Sequence, residues 1–182
     1  MTEDFKIVIP ARYESSRFPG KALVDIHGKP MIQRVYEAAK EAGASEVIIA
    51  TDSTMIGMAA EDFGATVCMT LEEHESGTDR LCEVVEKLGW QDQTVVVNLQ
   101  GDEPLTPPAI IKQVAVNLIK NPEADCATLY TGLAAEDAAD PHIVKLVADA
   151  NGFAMYFSRA VIPHFRDPDD AAVARLMYKR HL

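Results

Sequence analysis

The residue types best suited to chemistry lie in one short loop, residues 10–21, directly after an apolar run. Its three cations, set against a single acid, are Arg12, Arg17 and Lys21. Ser15 and Ser16 add two hydroxyls, and a glycine provides a turn. Backbone amides and hydroxyls can cradle phosphate oxygens, while the cations neutralise the charge of a triphosphate. The loop therefore favours a phosphorylated ligand, although a solvated surface loop with scattered charges would have the same composition.

Two familiar phosphate-binding signatures are absent from this loop. It contains neither GxxxxGK[ST] nor GxGxxG, so it is not a Walker A loop, and a dehydrogenase with a dinucleotide fingerprint is disfavoured. A dehydrogenase on a parallel sheet stays open only as a weak alternative.

A second candidate is the carboxylate of Asp102, which follows the β-branched run 94–99 within Gln100–Pro104. Mg²⁺ in proteins usually takes one or two carboxylates together with substrate phosphates. An aspartate that caps the following turn is an equally good interpretation of this residue.

Three further segments place polar side chains where an element begins or alternates. Ser76–Arg80 opens a predicted helix, whose free N–H groups can bind an anion or be capped by Ser76 itself. Asp52 precedes another helix, where an N-cap and a ligand contact are about equally expected. In Tyr156–Arg159, strand alternation puts Tyr156 and Ser158 on one face, and a plain strand with a buried Phe and an exposed Arg would look the same.

Periodicity predicts the elements that position these residues. Strands are expected at 5–9, 46–51, 66–69 and 94–99, and helices at 30–42, 53–63, 77–88 and 107–120. Alternation of this kind indicates an α/β fold, a mostly parallel sheet with helices on both faces. Ligands of such sheets bind beyond the carboxyl ends of the strands. The candidate loops follow those ends, so we expect one shared site.

The pattern changes near residue 125. Segments 127–133, 143–149 and 153–159 are predicted strands with little helix between them, which indicates an antiparallel extension of the sheet, and 171–182 is compatible with a helix. We therefore expect two parts, a nucleotide-binding core over 1–124 and the start of an extension over 125–182.

Composition limits the partners and the location. The chain has 182 residues and a formal net charge of −11, which argues against general nucleic-acid binding. The sequence has no apolar run long enough to insert in a membrane, and its acidic first residues lack signal-peptide features, so a cytoplasmic protein is expected. Cys68, Cys82 and Cys126 are expected to be buried packing residues. The histidines at 27, 74, 142 and 164 show no metal-ligand spacing and are interpreted as ordinary loop or surface residues.

Five strings in this sequence resemble the bacterial sugar-acid cytidylyltransferases in order and spacing. They are IPARYESSRFPGKALVDIHGKPMI at 9–32, IIATD at 48–52, HESGTDR at 74–80, NLQGDEP at 98–104 and YFSRAVIP at 156–163. The sialic-acid members share the first string in a looser form, whereas the later strings resemble the members that act on 3-deoxy-manno-octulosonate (Kdo). The resemblance covers nearly the whole chain.

The resemblance implies a Rossmann-like fold of the nucleotide-diphospho-sugar transferase type, with CTP and Kdo as substrates and Mg²⁺ as cofactor. The implied reaction activates Kdo for lipopolysaccharide synthesis by transferring CMP from CTP with release of pyrophosphate. The catalytic residues are expected to be Arg12, Lys21 and Asp102, with Asp102 as the metal ligand. The expected nucleotide-binding residues are Pro10, Ala11, Arg12, Ser15, Ser16, Arg17, Lys21, Asp52, Ser76 and Gly77. The expected sugar-acid-binding residues are Arg80, Gln100, Tyr156, Ser158, Arg159 and His181.

The sequence departs from this pattern at its end. Family members are expected to continue beyond residue 182 with a further metal-binding aspartate, more of the sugar pocket and a homodimer contact. On this interpretation the chain is a fragment or a truncated product, with an incomplete metal site and an incomplete sugar-binding and dimerisation extension. The alternatives are the same chemistry on 8-amino-Kdo or sialic acid, and a non-catalytic nucleotide-binding module.

Overall fold

The computed structural model describes residues 4–14, 18–74, 76–164 and 178–182. The chain divides into two compact units, Met1–Ala127 and Thr128–Leu182. The described residues of the first unit form six strands and four α-helices: β1 (Lys6–Ala11), β2 (Asp25–Ile26), β3 (Lys29–Pro30), α1 (Met31–Glu41), β4 (Glu46–Thr51), α2 (Thr54–Asp62), β5 (Thr66–Met69), α3 (Gly77–Leu88), β6 (Val96–Asn98) and α4 (Pro108–Lys120). Those of the second unit form four strands: β7 (Tyr130–Gly132), β8 (Lys145–Ala148), β9 (Ala154–Ser158) and β10 (Lys179–His181).

A four-stranded parallel sheet in the order β5–β4–β1–β6 forms the centre of the first unit. The chain runs outward from β1 through β4 to β5 and then returns to add β6 on the other side of β1. This order confirms the predicted parallel α/β sheet. The direction of winding reverses between β1 and β6, which is the place where open parallel sheets bind ligands.

Alternation along the strands builds a separate core on each face of this sheet. Ile7, Ile9 and Ile49 point to one face and pack with buried residues of α1, α2 and α4. Val8 and Ile48 point to the other face and pack against Leu81 and Val84 of α3. A strand buried on both faces must be apolar throughout, which explains the continuous apolar runs in β1 and β4.

Most helices begin and end where local sequence signals predict. Ser53 and Ser76 are the N-cap residues of α2 and α3, and each side chain accepts a backbone N–H of the first turn. Gly43 and Gly89 follow α1 and α3 with φ of 83° and 63°, the left-handed conformation that glycine adopts without strain. The predicted bounds of α3 are confirmed, while α1 starts after Pro30 rather than at it.

The short β2–β3 hairpin and the 3-10 turn Lys21–Leu23 were not predicted from the sequence. The hairpin strands have two residues each, so they cannot display a period. The turn carries Lys21 back towards the carboxyl end of β1.

The second unit is an antiparallel sheet in the order β7–β10–β8–β9, which confirms the predicted change of strand direction. Lys145 is fully buried in it, and its ammonium donates to the carbonyl oxygens of Asp140, Ile143 and Arg159. The predicted helix at 171–182 is wrong at its end, because Lys179–His181 is a strand, and the part at 171–177 lies outside the described residues.

Two of the three cysteine predictions are wrong, since Cys82 and Cys126 are exposed and only Cys68 is buried. Cys82 follows Leu81 on α3 and therefore faces away from the helix's buried side. In the part of the chain that the structure describes, no helix has the length and apolar character needed to span a membrane.

Candidate functional site

An open pocket lies at the carboxyl ends of β1 and β6, where the direction of sheet winding reverses. Three chain segments line it: Pro10–Arg12 at the end of β1, Lys21 on the 3-10 turn, and Gln100–Asp102 after β6. Gly77, the first residue of α3, completes the wall, and Glu14 adds an acid that the sequence did not single out. The position agrees with the site expected from the strand order.

Lys21 and Asp102 meet in this pocket although they are far apart in the sequence. Lys21 Nζ donates to Asp102 Oδ2 at 2.7 Å. The side chains are 40% and 52% exposed, so the pair faces solvent and is free to exchange partners. One nucleoside triphosphate could therefore contact both groups, as the sequence interpretation requires.

Arg12 brings a second cation into the pocket. Its Nη2 is buried and has no hydrogen-bond partner among the described residues. A buried donor without a partner is costly, because the group has lost its water without gaining a new acceptor. An anion bound in the pocket would supply that acceptor.

Two glycines allow the pocket walls to come this close. A Cβ on Gly101 would lie 2.9 Å from the carbonyl oxygen of Pro10, nearer than real side chains approach backbone oxygen. A Cβ on Gly77 would stand 3.4 Å from Pro10 Cγ and 3.5 Å from Gln100 Nε2. Sequence analysis did not single out Gly101, although a glycine just beyond a strand can mark a close approach of two backbones.

The first turn of α3 is closed by a capping box. Ser76 Oγ accepts the N–H of Asp79 at 3.1 Å, and Asp79 Oδ2 accepts the N–H of Ser76 at 3.1 Å. The Ser76 hydroxyl also donates to Asp79 Oδ2, and this hydrogen bond lowers the pKa of the Asp79 carboxyl. Ser76 is therefore an N-cap, and its predicted contact with nucleotide stays a prediction.

Arg80 and Asp52 pair with each other. Arg80 Nη2 donates to Asp52 Oδ2 at 2.6 Å, and Nη1 donates to the hydroxyl of Thr70. The Arg80 side chain is 0% exposed, so the described structure gives it different partners from the predicted sugar carboxylate. Asp52 is neither the N-cap of α2, which is Ser53, nor among the pocket residues. Sequence analysis missed Thr70, the third member of this group.

His74 lies in a loop, as predicted, but it is better packed than a surface histidine. Its Nε2 lies at hydrogen-bonding distance from Glu83 Oε2, and the two side chains are 17% and 11% exposed. Lys87 Nζ also contacts Glu83, at 2.7 Å, and the backbone N–H of Leu71 donates to it at 2.9 Å. Burial raises the pKa of Glu83, but the hydrogen bonds from Lys87, His74 and Leu71 outweigh it and lower the pKa to about 2.

Comparison with known proteins assigns the chain to a family. The cytidylyltransferase family model matches residues 6–181. A 3-deoxy-manno-octulosonate cytidylyltransferase of Vibrio parahaemolyticus is 56% identical in an alignment of 183 positions that covers 98% of this chain and 72% of that protein. The corresponding enzyme 1 of Actinobacillus pleuropneumoniae serotype 5b is 54% identical in an alignment of 184 positions that covers 98% of this chain and 73% of that protein. The chain belongs to the 3-deoxy-manno-octulosonate cytidylyltransferase family.

Solved structures agree with this assignment. A CMP:2-keto-3-deoxy-manno-octonic acid synthetase complexed with CTP superposes with a TM-score of 0.89 at 43% identity, over 100% of this chain and 72% of that one. A nucleotidyl transferase of Methanothermobacter, with a TM-score of 0.53 at 20% identity over 62% of this chain and 56% of its own, shares the fold alone.

The family resemblance implies a Mg²⁺ site at Asp102, and the residues present can be tested against it. Among the described residues, no group of three or more His, Cys, Asp or Glu side chains could hold a metal by itself. Asp102 offers one half-exposed carboxylate in a pocket that also holds Arg12 Nη2, a cationic nitrogen without a partner among the described residues. That donor set suits a cation that takes its other ligands from substrate phosphates and water.

Cytidylyltransferase residues predicted to bind the sugar acid lie in both units. Gln100 lines the pocket of the first unit, where its Nε2 donates to Asn98 Oδ1 at 2.9 Å. Within the second unit, His181 Nε2 lies 2.8 Å from Thr128 Oγ1, and its ring meets Phe157 edge-on with centroids 5.1 Å apart. His181 is thus held in β10, and its contact with Phe157 was not expected from the sequence.

The other residues of the second unit that are predicted to bind the sugar acid differ in whether their side chains already have hydrogen-bond partners in the protein. Tyr156 is 61% exposed. Ser158 Oγ accepts the N–H of Ala160, and Arg159 Nη1 donates to the carbonyl oxygens of Pro141 and His142. The predicted nucleotide-binding residues Ser15, Ser16 and Arg17 lie outside the described residues.

Proposed function

We propose that this chain transfers CMP from CTP to the anomeric hydroxyl of Kdo and releases pyrophosphate. The observation that carries the proposal is the meeting of Lys21 and Asp102, 2.7 Å apart, in the pocket that Arg12 also lines. A cation, a carboxylate and an unpaired guanidinium nitrogen at a sheet's winding reversal suit a nucleoside triphosphate. The 54% and 56% identity to relatives named as cytidylyltransferases for this sugar acid supports the choice of substrates.

The chain's cations would bind and orient the triphosphate. Arg12 Nη2 would donate to a phosphate oxygen and gain the acceptor that it lacks in the free protein. Lys21 would leave Asp102 for the phosphates and stabilise the negative charge that develops on departing pyrophosphate. The sugar hydroxyl attacks the α-phosphorus in line, the bond to the bridging oxygen breaks, and the hydroxyl proton is lost. Catalysis is then mainly positioning and charge neutralisation.

Asp102 is the proposed metal ligand. A divalent cation, which we propose to be Mg²⁺, would polarise the α-phosphate and lower the pKa of the attacking hydroxyl. In the free protein the Lys21 ammonium lies beside this carboxylate, where the metal cation would bind. Movement of Lys21 to the phosphates would free Asp102 Oδ2 for the metal.

We propose that Gln100, Tyr156, Ser158, Arg159 and His181 contribute to sugar-acid binding, and that the protein forms a homodimer. A cytoplasmic location stays a prediction.

Pyrophosphate release from CTP tests the function. The chain is incubated with CTP and Mg²⁺ together with Kdo, 8-amino-Kdo or sialic acid, and calorimetry measures CTP binding in parallel. Release with Kdo at a higher kcat/KM than with the other two acids is the expected result. A higher rate with another acid would reassign the substrate. CTP binding without release from any acid would identify a nucleotide-binding module, and tight NADH binding without CTP binding would point to a dehydrogenase.

A further inference from the structure

Several cations of the first unit form ion pairs with acids among the described residues, and Arg80 is the most deeply buried of them. It lies one turn into α3, and its side chain is 0% exposed, while the Asp52 side chain is 13% exposed. Arg80 is not among the described residues that line the open pocket, whereas Arg12 is. The Arg80 guanidinium therefore faces its protein partners and not a ligand bound in that pocket.

The guanidinium joins three elements at the edge of the sheet near the pocket. Asp52 directly follows β4, and Thr70 directly follows β5, where its own N–H donates to the carbonyl oxygen of Thr51 at 2.9 Å. Arg80 contacts both side chains from the first turn of α3. One side chain thus fixes the start of this helix against the carboxyl ends of two neighbouring strands.

The start of α3 is also a wall of the nucleotide pocket. Gly77 begins the helix and lines the pocket, close to Pro10 and Gln100. Arg80 N lies 3.4 Å from the carbonyl oxygen of Ser76, so the anchored residue and the pocket wall belong to one helical turn. A shift of this turn would change the width of the pocket between Gly77 and Pro10.

We propose that Arg80 is a positioning residue for CTP: it acts through Asp52 and Thr70 to hold Gly77 and the first turn of α3 at the nucleotide pocket. It does not bind the carboxylate of the sugar acid. The proposal rests on the proposed function for the identity of the two substrates. Removal of one member of a buried ion pair leaves the other charge without a partner, so the contact depends on both members.

A double-mutant cycle tests the proposal. Arg80→Met, Asp52→Asn and the double variant are compared in CTP affinity by calorimetry and in the KM for each substrate by pyrophosphate release. Each single variant is expected to weaken CTP binding about 5- to 20-fold, and the double variant is expected to be little worse than either, because coupled residues are not additive. The KM for Kdo should stay within about twofold of the parent value, since Arg80 cannot reach that substrate in this structure.

Two further variants separate positioning from general damage. Arg80→Lys keeps the charge but loses the planar fork, so it should restore only part of the CTP affinity. Glu86→Gln removes a charge from the exposed face of the same helix and should leave the CTP affinity unchanged. If Arg80→Met fails to fold, Asp52→Asn and Thr70→Val carry the test, because the first removes the negative charge that pairs with the guanidinium and the second removes its hydroxyl acceptor.

Four results would overturn the proposal. The first is a higher KM for Kdo in Arg80→Met with unchanged CTP affinity, which would make Arg80 a sugar ligand. The second is full additivity of the two substitutions in the double variant, which would remove the coupling. The third is parent-like CTP affinity in Arg80→Met, or in both substitute variants if that protein does not fold. The fourth is a loss of CTP affinity in Glu86→Gln as large as in Arg80→Met. A parent chain that binds CTP but releases no pyrophosphate with Kdo contradicts the proposed function instead, and the CTP titrations still decide the role of Arg80.

Discussion

Two sets of cations near the carboxyl ends of the parallel strands differ in their exposure and in their hydrogen-bond partners. Lys21 and Arg12 line an open pocket, where Lys21 shares a half-exposed pair with Asp102 and Arg12 keeps a buried nitrogen without a partner among the residues described. Arg80 lies in the same unit, fully buried, with one terminal nitrogen on Asp52 and the other on Thr70. Its Nε also lacks a partner among the described residues, but Arg80 does not line the pocket. All three were expected from the sequence to bind substrate.

The difference separates residues that bind a ligand from residues that hold the binding surface. A cation with an exchangeable or missing partner can gain free energy from an incoming phosphate. A buried cation that already has an acid partner gains little from a ligand and would lose its existing contacts. The following predictions test whether that distinction holds in this molecule.

The largest effect is expected at the exchangeable pair. Lys21→Met and Asp102→Asn should each lower kcat by about 100- to 1,000-fold, the range seen when one preorganised charge-stabilising group is removed. Steady-state pyrophosphate release measures the effect, and Asp92→Asn, at an exposed turn before β6, is the matched control. A rate in either variant close to that of the control would show that the pair is not part of the catalytic site.

Arg12 should affect binding more than chemistry. Arg12→Met is expected to weaken CTP binding by about 10- to 150-fold, because hydrogen bonds to charged groups contribute about 1.5–3 kcal/mol. Calorimetric titration with CTP measures this. The free energy of unfolding of the variant should not fall, since the lost Nη2 group has no partner among the residues seen in the structure. Loss of stability with unchanged CTP affinity would place Arg12 in the same class as Arg80.

Gly101 should be sensitive because the pocket walls touch at this point. Gly101→Ala puts a Cβ 2.9 Å from the Pro10 carbonyl oxygen, and overpacking of this kind typically costs about 1–3 kcal/mol of folding free energy. Gly132→Ala is the control, since no atom lies within 4 Å of the added carbon there. Urea unfolding and CTP titration of both variants give the comparison. Equal stabilities and CTP affinities would mean that the close approach does not shape the pocket.

The smallest effect concerns a fully partnered acid, Glu83. Its pKa in the folded protein is lowered from 4.5 to about 2, so its contribution to stability is complete above about pH 4.5 and is lost as the pH falls towards 2. Glu83→Gln removes the titrating group and should therefore flatten the fall in the free energy of unfolding between pH 5 and pH 3. CTP affinity at neutral pH should change little. An unchanged acid profile would mean that the contacts with His74 and Lys87 do not lower this pKa.

Most of the fold of the first unit could be predicted because its signals are local. The apolar runs of β4 and β5 and the cap residues Ser76 and Gly89 around α3 lie within a few residues of the structure that they determine. The β2–β3 hairpin was missed because strands of two residues carry no period. Cys82 was misplaced although the helical spacing of Leu81 and Val84 already puts it on the other side of α3.

The candidate site was predictable in position but not in detail. The strand order places the ends of β1 and β6 together, which is why Lys21 and Asp102 could be expected to meet. The burial of Arg80 depends on Asp52, 28 residues away in sequence, and on Thr70, 10 residues away, and no local pattern records those contacts. The same holds for the edge-on contact of Phe157 with His181, which joins β9 to the distant β10.

A crystal structure of the chain with CTP and Mg²⁺ tests the central claim most directly. The account predicts phosphate oxygens within hydrogen-bonding distance of Arg12 Nη2 and Lys21 Nζ, a cation on Asp102, and Arg80 still paired with Asp52. A nucleotide bound elsewhere, with the Lys21–Asp102 pair unchanged, would contradict it. One such place is a separate pocket of the first unit, lined by Ile26, His27, Arg34, Pro104 and Leu105.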